Sequence, residues 1–457
     1  MTDYRLEIPD NVPRQLARYW LGLGIAALIG AGLLAILLVL SRTPGVQDVF
    51  PLRDFFKSAL VVHVDLSVLI WFMAFASVMW SLAGDQRLAI LGRIGFGLAA
   101  VGTATMTVSP FFPDANPLLN NYIPVLQQPV FFSGLSLAGL GFTLTLIRAL
   151  LTIRWPTAGF MPVGAGDTLS NDSSSVRFAI FLSALAGTAS VAGVFYALLS
   201  APALEGQSYW EAVFWGGGHT LQFQHTLLMV VAWFWLASEL GQAPKIPGRI
   251  ITILFAIAAL PLLAVPVILA IAPVGSAWYT AYFSQLMEFG HTLMMPLIII
   301  VMPSLWRLRS VNAPVKSALI ASFLLFATGG VLAYMIKGVN VVIPAHYHGS
   351  IVGVTLAFMG LSYVLLPRLG FGIADGKMAR WQPYVYGGGQ LVHILGLAWS
   401  GGYGVQRKVA GAEQMLTTLP QKIGMGMMGF GGLVSIIGGI MFVLVCLMAM
   451  RQRKLKT

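Results

Sequence analysis

The sequence predicts an all-α, polytopic membrane bundle of twelve transmembrane helices, and its composition and pattern support this in three ways. The chain of 457 residues is 57% hydrophobic but only 9% charged, whereas a soluble protein would carry about 25% charged residues. Long apolar runs, separated by Pro, Gly or charged residues, recur along it. Cys446 is its only cysteine. A soluble enzyme, a disordered chain and a secreted disulfide scaffold are therefore excluded.

The predicted spans are apolar runs of about 20 residues or more, the length that crosses a bilayer as a helix. They are 18–41, 58–83, 89–111, 124–152, 176–200, 210–239, 249–272, 280–308, 315–338, 340–366, 381–403 and 422–449. The first run follows a polar stretch, so we interpret it as a retained helix and not as a cleaved signal peptide. We predict one membrane domain over residues 1–457, with a short N-terminus, 1–17, and C-terminus, 450–457.

The net charge of +11 reflects the topology of the spans. Of the 27 Lys and Arg residues, those assigned to the side opposite both termini are only Arg42, Arg53, Lys57, Lys337, Arg407, Lys408 and Lys422. Lys and Arg concentrate on the cytoplasmic side of membrane proteins. Both termini are therefore predicted to be cytoplasmic, the bilayer is the implied partner, and no nucleic-acid partner is inferred.

All seven histidines fall within predicted spans: His63, His219, His225, His291, His346, His348 and His393. Ionisable side chains in a bilayer are costly and usually face a bundle interior, a cavity or a cofactor. Neutral imidazole is the commonest metal ligand and brings no charge into the membrane. A single such histidine is more often a packing residue, but seven together predict metal binding.

His346 and His348 form an H-x-H pair in the tenth span. Residues two apart on an α-helix are separated by about 200°, so the two rings point to opposite sides at nearly one depth. His63, in the second span, reaches a similar depth on the non-cytoplasmic half. Two of these rings can ligate one haem from opposite faces, and the third can bind a second haem. Three unrelated packing histidines are the alternative.

Nearly the whole chain resembles the catalytic subunit I of the haem-copper oxidase and nitric oxide reductase superfamily, with a pattern similar to the cbb-type oxidases and the reductases. The motifs are "WGGGHTLQFQHT", with His219, and "MIKGVN" shortly before "AHYHG". The resemblance implies two haems, b-type, with His63 and His348 as the axial ligands of a low-spin haem. His346 would be the proximal ligand of a high-spin haem, and His219 would ligate a non-haem metal facing it.

The sequence departs from this family at the non-haem metal. The adjacent His-His pair of the seventh span is absent from residues 249–272. Glu288 and His291 are three residues apart and share a helix face. With His219 they could form a site that favours iron over copper, in which Glu288 and His219 serve catalysis. The alternative is a proton-relay Glu288 with His291 as its hydrogen-bond partner and no metal.

The resemblance implies an oxidoreductase and leaves its gas substrate open. Oxidases use a tyrosine near the seventh-span histidines to complete four-electron reduction of oxygen to water, and that span lacks a tyrosine here. Reduction of nitric oxide to nitrous oxide needs only two electrons per pair of molecules. We therefore predict nitric oxide as the substrate. The alternatives are a divergent cbb-like cytochrome c oxidase and a non-catalytic haem electron conduit or gas sensor; a twelve-span transporter would not need an H-x-H pair.

The sequence has no C-x-x-C-H motif and no cysteine pair. Electrons must therefore come from a subunit carrying a c-type haem or dinuclear copper, or from quinol. Arg407 and Lys408, past the outer end of the eleventh span, are candidates to neutralise haem propionates, or else solvated loop residues. The predicted location is the bacterial inner (cytoplasmic) membrane, with the haems toward the periplasmic half.

Three features are interpreted as structural. His225 is six residues from His219, about 120° away around the helix, so packing or a proton path suits it better than a shared metal. His393 has no counterpart among the ligands that the resemblance implies. The "GMGMMGFGG" segment is interpreted as helix packing through small residues.

Overall fold

The computed structural model describes residues 3–9, 11–48, 55–153, 172–306 and 313–452, which are mostly helical. The helices are α1 (Val12–Leu40), α2 (Phe56–Val64), α3 (Trp71–Ala83), α4 (Ala89–Val108), α5 (Pro129–Thr152), α6 (Asp172–Ser200), α7 (Gly206–Glu239), α8 (Gly248–Ala259), α9 (Ala264–Ile271), α10 (Ala277–Gly290), α11 (Met295–Trp306), α12 (Ala313–Ala333), α13 (Val342–Arg368), α14 (Gly376–Gly402) and α15 (Leu419–Arg451). Shorter elements are a π-helical turn, Asp65–Ile70, 3₁₀ turns at Ser109–Phe111, Leu260–Leu263, His291–Met294 and Gly411–Gln414, and strands β1 (Pro117–Leu118) and β2 (Val125–Leu126).

Helices account for every predicted span, so the all-α membrane bundle is confirmed. The second span comprises α2, the π-helical turn and α3, and the seventh and eighth spans each contain a 3₁₀ turn between two helices. In the part of the chain that the structure describes, ten helical segments are long and apolar enough to cross a membrane. Because α7 and α14 are not among these ten, the number twelve stays a prediction.

The 3₁₀ turns in the seventh and eighth spans follow from proline. Pro261 lies in the first of these turns and Pro296 follows the second. Neither proline has an N–H to donate to the carbonyl four residues earlier, so the α-helical ladder is interrupted there. His291 opens the second turn, immediately after α10 ends at Gly290.

The helices group into two compact units. Unit 1 comprises Met1–Leu23, Phe72–Met106 and Asn120–Arg309, and unit 2 comprises Gly24–Trp71, Thr107–Leu119 and Ser310–Thr457. Within unit 1, α7 packs against α6 and α10; within unit 2, α13 packs against α12 and α14, and α14 packs against α15. His219, His225 and His291 belong to unit 1, and the other four histidines belong to unit 2. The single membrane domain stays a prediction.

Glycines bring α14 and α15 close together in unit 2. A methyl group on Gly389 of α14 would lie 2.6 Å from the backbone nitrogen of Ser435 on α15. A methyl group on Gly431 would lie 2.6 Å from the carbonyl oxygen of Gly389. Small residues allow such backbone approach between membrane helices. This contact agrees with the interpretation of "GMGMMGFGG" as a packing segment.

Candidate metal and cofactor sites

Six of the seven histidines hold their rings in the same way, with Nδ1 2.8–2.9 Å from a backbone carbonyl oxygen. The pairs are His63 with Ala31, His219 with Trp215, His291 with Met287, His346 with Gly329, His348 with Pro344, and His393 with Met428. A carbonyl oxygen only accepts, so Nδ1 is the donor and the lone pair of the neutral ring lies on Nε2. Metal-ligating histidines are oriented in this manner.

His346 and His348 face different neighbours within unit 2. The Nδ1 of His346 donates to the Gly329 carbonyl of α12 at 2.8 Å. The ring of His348 lies 5.2 Å from the ring of His393 on α14, and His63 is a further electrostatic neighbour of His348. The two rings therefore point toward different helices, as the H-x-H spacing predicts.

His63 lies at the end of α2, just before the π-helical turn Asp65–Ile70. Its Nδ1 donates to the Ala31 carbonyl of α1 at 2.9 Å. Asp65 is only 1% exposed, and its carboxylate oxygens have no hydrogen-bond partner among the described residues. π-helical turns within helices are frequent at functional sites, and a buried carboxyl group without a partner is costly. These features favour a functional role for the His63 segment over simple packing.

Arg42, just past the end of α1, is a buried cation that the sequence analysis did not assign to a site. Its Nε and Nη2 atoms are buried and have no hydrogen-bond partner in the described part of the chain. Burial lowers the pKa of Arg42 to about 10, with Tyr347 opposing the change, so the guanidinium stays charged at neutral pH. His348 and His393 are its electrostatic neighbours. The only signal in the sequence is that Arg42 is one of the few Lys and Arg residues assigned to the side of the membrane opposite both termini.

Arg407 and Lys408, the predicted propionate partners, have different surroundings. The Lys408 amino group donates to the backbone carbonyl of Leu119. Arg407 is an electrostatic neighbour of Tyr347, whose ring stacks on His348 at 5.0 Å. Arg407 therefore lies near the histidine cluster of His63, His348 and His393, whereas the Lys408 amino group contacts a backbone carbonyl.

The side chains of unit 2 include the types of group that bind a haem. The iron of a haem accepts an imidazole nitrogen, and the Nε2 atoms of His63, His346 and His348 are available for this. The propionates of a haem are carboxylates, which the buried guanidinium of Arg42 could pair with. The unsatisfied Arg42 nitrogens are the observation that supports this fit.

Three consecutive glycines on α7, Gly216–Gly218, allow close contact with three different neighbours in unit 1. Successive helical residues are rotated by about 100°, so each glycine faces its own direction. The Gly216 N–H donates to the Tyr279 hydroxyl of α10 at 3.1 Å. The Ser190 hydroxyl of α6 donates to the Gly217 carbonyl at 2.7 Å, and Gly218 faces the ring of Tyr122. The helix is therefore held on three sides immediately before His219.

His219 is 2% exposed and packs against two aromatic rings. The ring of Trp215 is 4.6 Å away and that of Tyr122 is 4.7 Å away, centroid to centroid. His291 is an electrostatic neighbour of His219, and its ring stacks on Phe223 of α7 at 4.2 Å. The structure thus brings two of the predicted metal ligands to the same stretch of α7.

The structure does not group Glu288 with His219 and His291 in the described residues, and the three-ligand site stays a prediction. The Glu288 side chain is exposed, and no group of three or more His, Cys, Asp or Glu side chains that could hold a metal is found in the described ranges. The side chains of residues three apart on an α-helix still differ by about 60° in direction. His291 can therefore pack on Phe223 of α7 while Glu288 is exposed. His291 donates to the Met287 carbonyl. Imidazole is a ligand type that both iron and copper accept, so His219 and His291 suit either metal. The Glu288 carboxylate is not grouped with them.

The two histidines that were interpreted as structural differ from each other. The Nδ1 of His225 is buried without a partner in the described residues, and its ring packs edge-on against Phe72 at 4.7 Å. The contact with Phe72 suits a packing role, and the choice between packing and a proton path stays a prediction. His393 lies instead beside His348, so it belongs to the histidine cluster of unit 2.

Tyr122 is a residue that sequence reasoning missed, because the resemblance to the oxidases points only to a tyrosine in the seventh span. It comes from the loop before α5. Burial raises the pKa of Tyr122, and the nearby Glu211 carboxylate adds to the effect, so its hydroxyl is neutral at physiological pH. A loop residue has no periodic pattern that would place it against α7.

Replacing Gly218 with alanine is expected to destabilise unit 1, because the added methyl group would overlap the Tyr122 ring. Forcing extra volume into a packed site costs about 1–3 kcal/mol. Thermal unfolding of the purified protein in detergent should show a lowered midpoint. Gly139→Ala on α5, where a methyl group meets nothing within 4 Å, is the matched control. Equal midpoints for the two variants would contradict the close contact.

The fold and the sequence define a polytopic helical membrane protein with seven histidines inside its predicted spans. The sequence profile of the family "Cytochrome C and Quinol oxidase polypeptide I" matches residues 15–451. The chain therefore belongs to this family, subunit I of the haem-copper oxidases, and the resemblance seen in the sequence is confirmed. This family consists of respiratory oxidoreductase subunits that bind haems and a non-haem metal in the membrane.

Two relatives and one solved structure are similar to most of this chain. An uncharacterised protein of Rickettsia prowazekii (strain Madrid E) is 30% identical, covering 94% of this chain and 95% of the relative. An uncharacterised protein of Aquifex aeolicus (strain VF5) is 28% identical, covering 80% of this chain and 88% of the relative. A haem-copper terminal oxidase dimer solved by cryo-EM has a TM-score of 0.73 at 17% identity, over 98% of this chain and 86% of that chain. At this identity the likeness concerns the fold.

Proposed function

We propose that this chain is the di-haem catalytic subunit of a respiratory enzyme that reduces nitric oxide to nitrous oxide. Two nitric oxide molecules, two electrons and two protons give one nitrous oxide and one water. The observation that carries the proposal is that His219 has one imidazole neighbour, His291 from the eighth span, while the seventh span has no histidine and no tyrosine. Such a site lacks the seventh-span histidine pair and the seventh-span tyrosine that oxidases use for four-electron chemistry.

The residues of unit 2 are proposed to bind the haems. His63 and His348 would hold the low-spin haem, and His346, which faces α12 instead, would hold the high-spin haem. When bound, the haems supply one-electron transfer and a place for the gas to coordinate. Arg42 would balance the carboxylate charge of a haem inside the protein, with Arg407 near it. Both haems are proposed to be b-type, as in the family resemblance.

His219 and His291 are proposed to hold the non-haem metal through Nε2. Iron is preferred to copper because the three-histidine set typical of the copper site is absent from the sequence. Glu288 is proposed to serve proton transfer instead of binding the metal, since its side chain lies on the exposed side of α10 and is not grouped with the two histidines. A carboxylic acid can deliver protons to a reaction without touching the metal.

Oxygen reduction is the second candidate, and Tyr122 favours it. Its ring packs on His219 at 4.7 Å, so a phenol is available beside the proposed non-haem metal although it comes from a loop. A phenol can supply the additional electron and proton that complete oxygen reduction requires. The chain would then be a divergent cbb-like cytochrome c oxidase subunit.

Electrons are proposed to come from a partner subunit with a c-type haem or dinuclear copper, or from quinol. The single cysteine, Cys446, is buried in α15 and cannot build either centre alone. We propose the bacterial inner membrane as the location, with both termini cytoplasmic. The haem ligands on α2 and α13 would lie in the periplasmic half.

Turnover of the two gases by the purified enzyme tests the proposal. Nitric oxide consumption with one nitrous oxide formed per two molecules is expected to exceed oxygen consumption with the same electron donor. Metal analysis should give two haems and one further iron per chain. Fast oxygen reduction with negligible nitrous oxide, and one copper in place of the iron, would favour the oxidase. Two haems without a third metal would favour an electron conduit or gas sensor.

A further inference from the structure

The loop that precedes α5 is fastened to the first part of α7 by a carboxylate. The Glu211 side chain on α7 accepts a hydrogen bond from the backbone N–H of Asn121 at 3.0 Å. Its other oxygen accepts a hydrogen bond from the Asn121 side-chain amide. Two hydrogen bonds to an ionised carboxylate are stronger than two neutral ones, so Asn121 is fixed relative to α7.

The next residue, Tyr122, contacts α7 at the turns that follow Glu211. Its ring packs edge-on against Trp215 at 5.9 Å and tilted against His219 at 4.7 Å. Its hydroxyl accepts a hydrogen bond from the Gln222 side-chain amide at 3.4 Å. Position 218 must be glycine for this arrangement, because a methyl group there would overlap the tyrosine ring.

The contacts of Tyr122 complete the restraint on the His219 ring. The hydrogen bond from Nδ1 to the Trp215 carbonyl, 2.8 Å, fixes the tautomer. Trp215 occupies one flank of the imidazole at 4.6 Å, and Tyr122 occupies another. A ring that is hydrogen-bonded at one nitrogen and packed by two aromatic rings has little freedom to rotate, so the direction of its Nε2 lone pair is set.

We propose that Tyr122 is a positioning residue that aims the His219 imidazole at its metal, and that the Glu211–Asn121 contact holds Tyr122 in place. This role rests on the proposed function, in which His219 is a metal ligand. Residues that orient a ligand typically change metal affinity by about 10- to 100-fold when they are removed. The hydroxyl contributes less than the ring, since the ring makes the contact with His219.

The test is equilibrium dialysis of the haem-loaded enzyme, stripped of its non-haem metal, against graded Co²⁺. Elemental analysis distinguishes bound cobalt from haem iron, and His219→Ala gives the background. Tyr122→Leu is expected to weaken Co²⁺ binding about 10- to 100-fold, and Glu211→Gln to weaken it by a smaller factor. Tyr122→Phe, which keeps the ring, should stay within a few-fold of wild type. Glu205→Gln, an equivalent charge loss at the exposed start of α7, should match wild type.

The outcomes separate the two ideas. Unchanged haem spectra in all variants verify that the fold is intact. If wild type binds Co²⁺ through His219 and Tyr122→Leu binds equally well, the positioning role is overturned while the metal site stands. If Tyr122→Phe is as weak as Tyr122→Leu, the hydroxyl and not the ring is responsible, which also overturns the proposal. If wild type binds no Co²⁺ above the His219→Ala background, the non-haem metal of the proposed function fails, and the positioning role fails with it.

Discussion

Replacing His63 with alanine is expected to remove the low-spin haem signal completely while a high-spin haem is retained. A six-coordinate haem needs two axial nitrogens, and the structure offers His63 and His348 as electrostatic neighbours in unit 2. The ring of His346 faces α12 instead, with Nδ1 bonded to Gly329, so its own haem should not depend on His63. Electron paramagnetic resonance of the oxidised protein and reduced-minus-oxidised absorption spectra measure the two populations separately.

Two further histidine variants make this result specific. His225→Ala removes a buried ring that packs on Phe72, so it should leave both haem signals in place and serves as the control for a lost buried imidazole. His393→Ala tests the rival ligand, since its ring is 5.2 Å from that of His348. Loss of the low-spin signal in His393→Ala, together with its persistence in His63→Ala, would transfer the axial role from His63 to His393.

The helices could be predicted because bilayer thickness sets the length of an apolar run. Their starts were less accurate, since hydropathy marks the membrane and not the first helical turn. The fourth predicted span begins at residue 124, whereas α5 begins at Pro129. Proline is favoured in the first turn because its missing N–H is unpaired there in any case. Pro13, near the start of α1, and Pro420, near the start of α15, carry the same signal.

Directions along a single helix could also be predicted, but contacts between elements could not. The opposite orientation of His346 and His348 follows from a rotation of about 100° per residue. Which side of α10 faces α7 depends on the packing of other helices, so the sequence could not show that His291 is turned inward and Glu288 outward. Arg42 lies just beyond a helix end and Tyr122 in a loop. Neither segment has a periodicity from which its neighbours follow.

His219→Ala is expected to abolish gas reduction, whereas Glu288→Gln should lower it less than about tenfold. The imidazole of His219 is buried at 2% exposure and directed by three contacts, so no neighbouring group can replace it. The carboxylate of Glu288 is exposed. A carboxylate that is not grouped with His219 and His291 is not a positioned general acid at their site, so its loss should fall below the 10²- to 10⁴-fold typical of one. Initial rates of nitric oxide and oxygen consumption measure both effects.

The metal content of the two variants distinguishes a ligand from a proton donor. Glu288→Gln should retain the non-haem metal at the wild-type level, and His219→Ala should lose it while both haem spectra persist. Loss of the metal in Glu288→Gln would mean that the side chain turns inward when the metal binds, and it would support the three-ligand site predicted from the sequence. Because glutamine keeps the size of glutamate and removes only its charge, such a loss could not be assigned to altered packing.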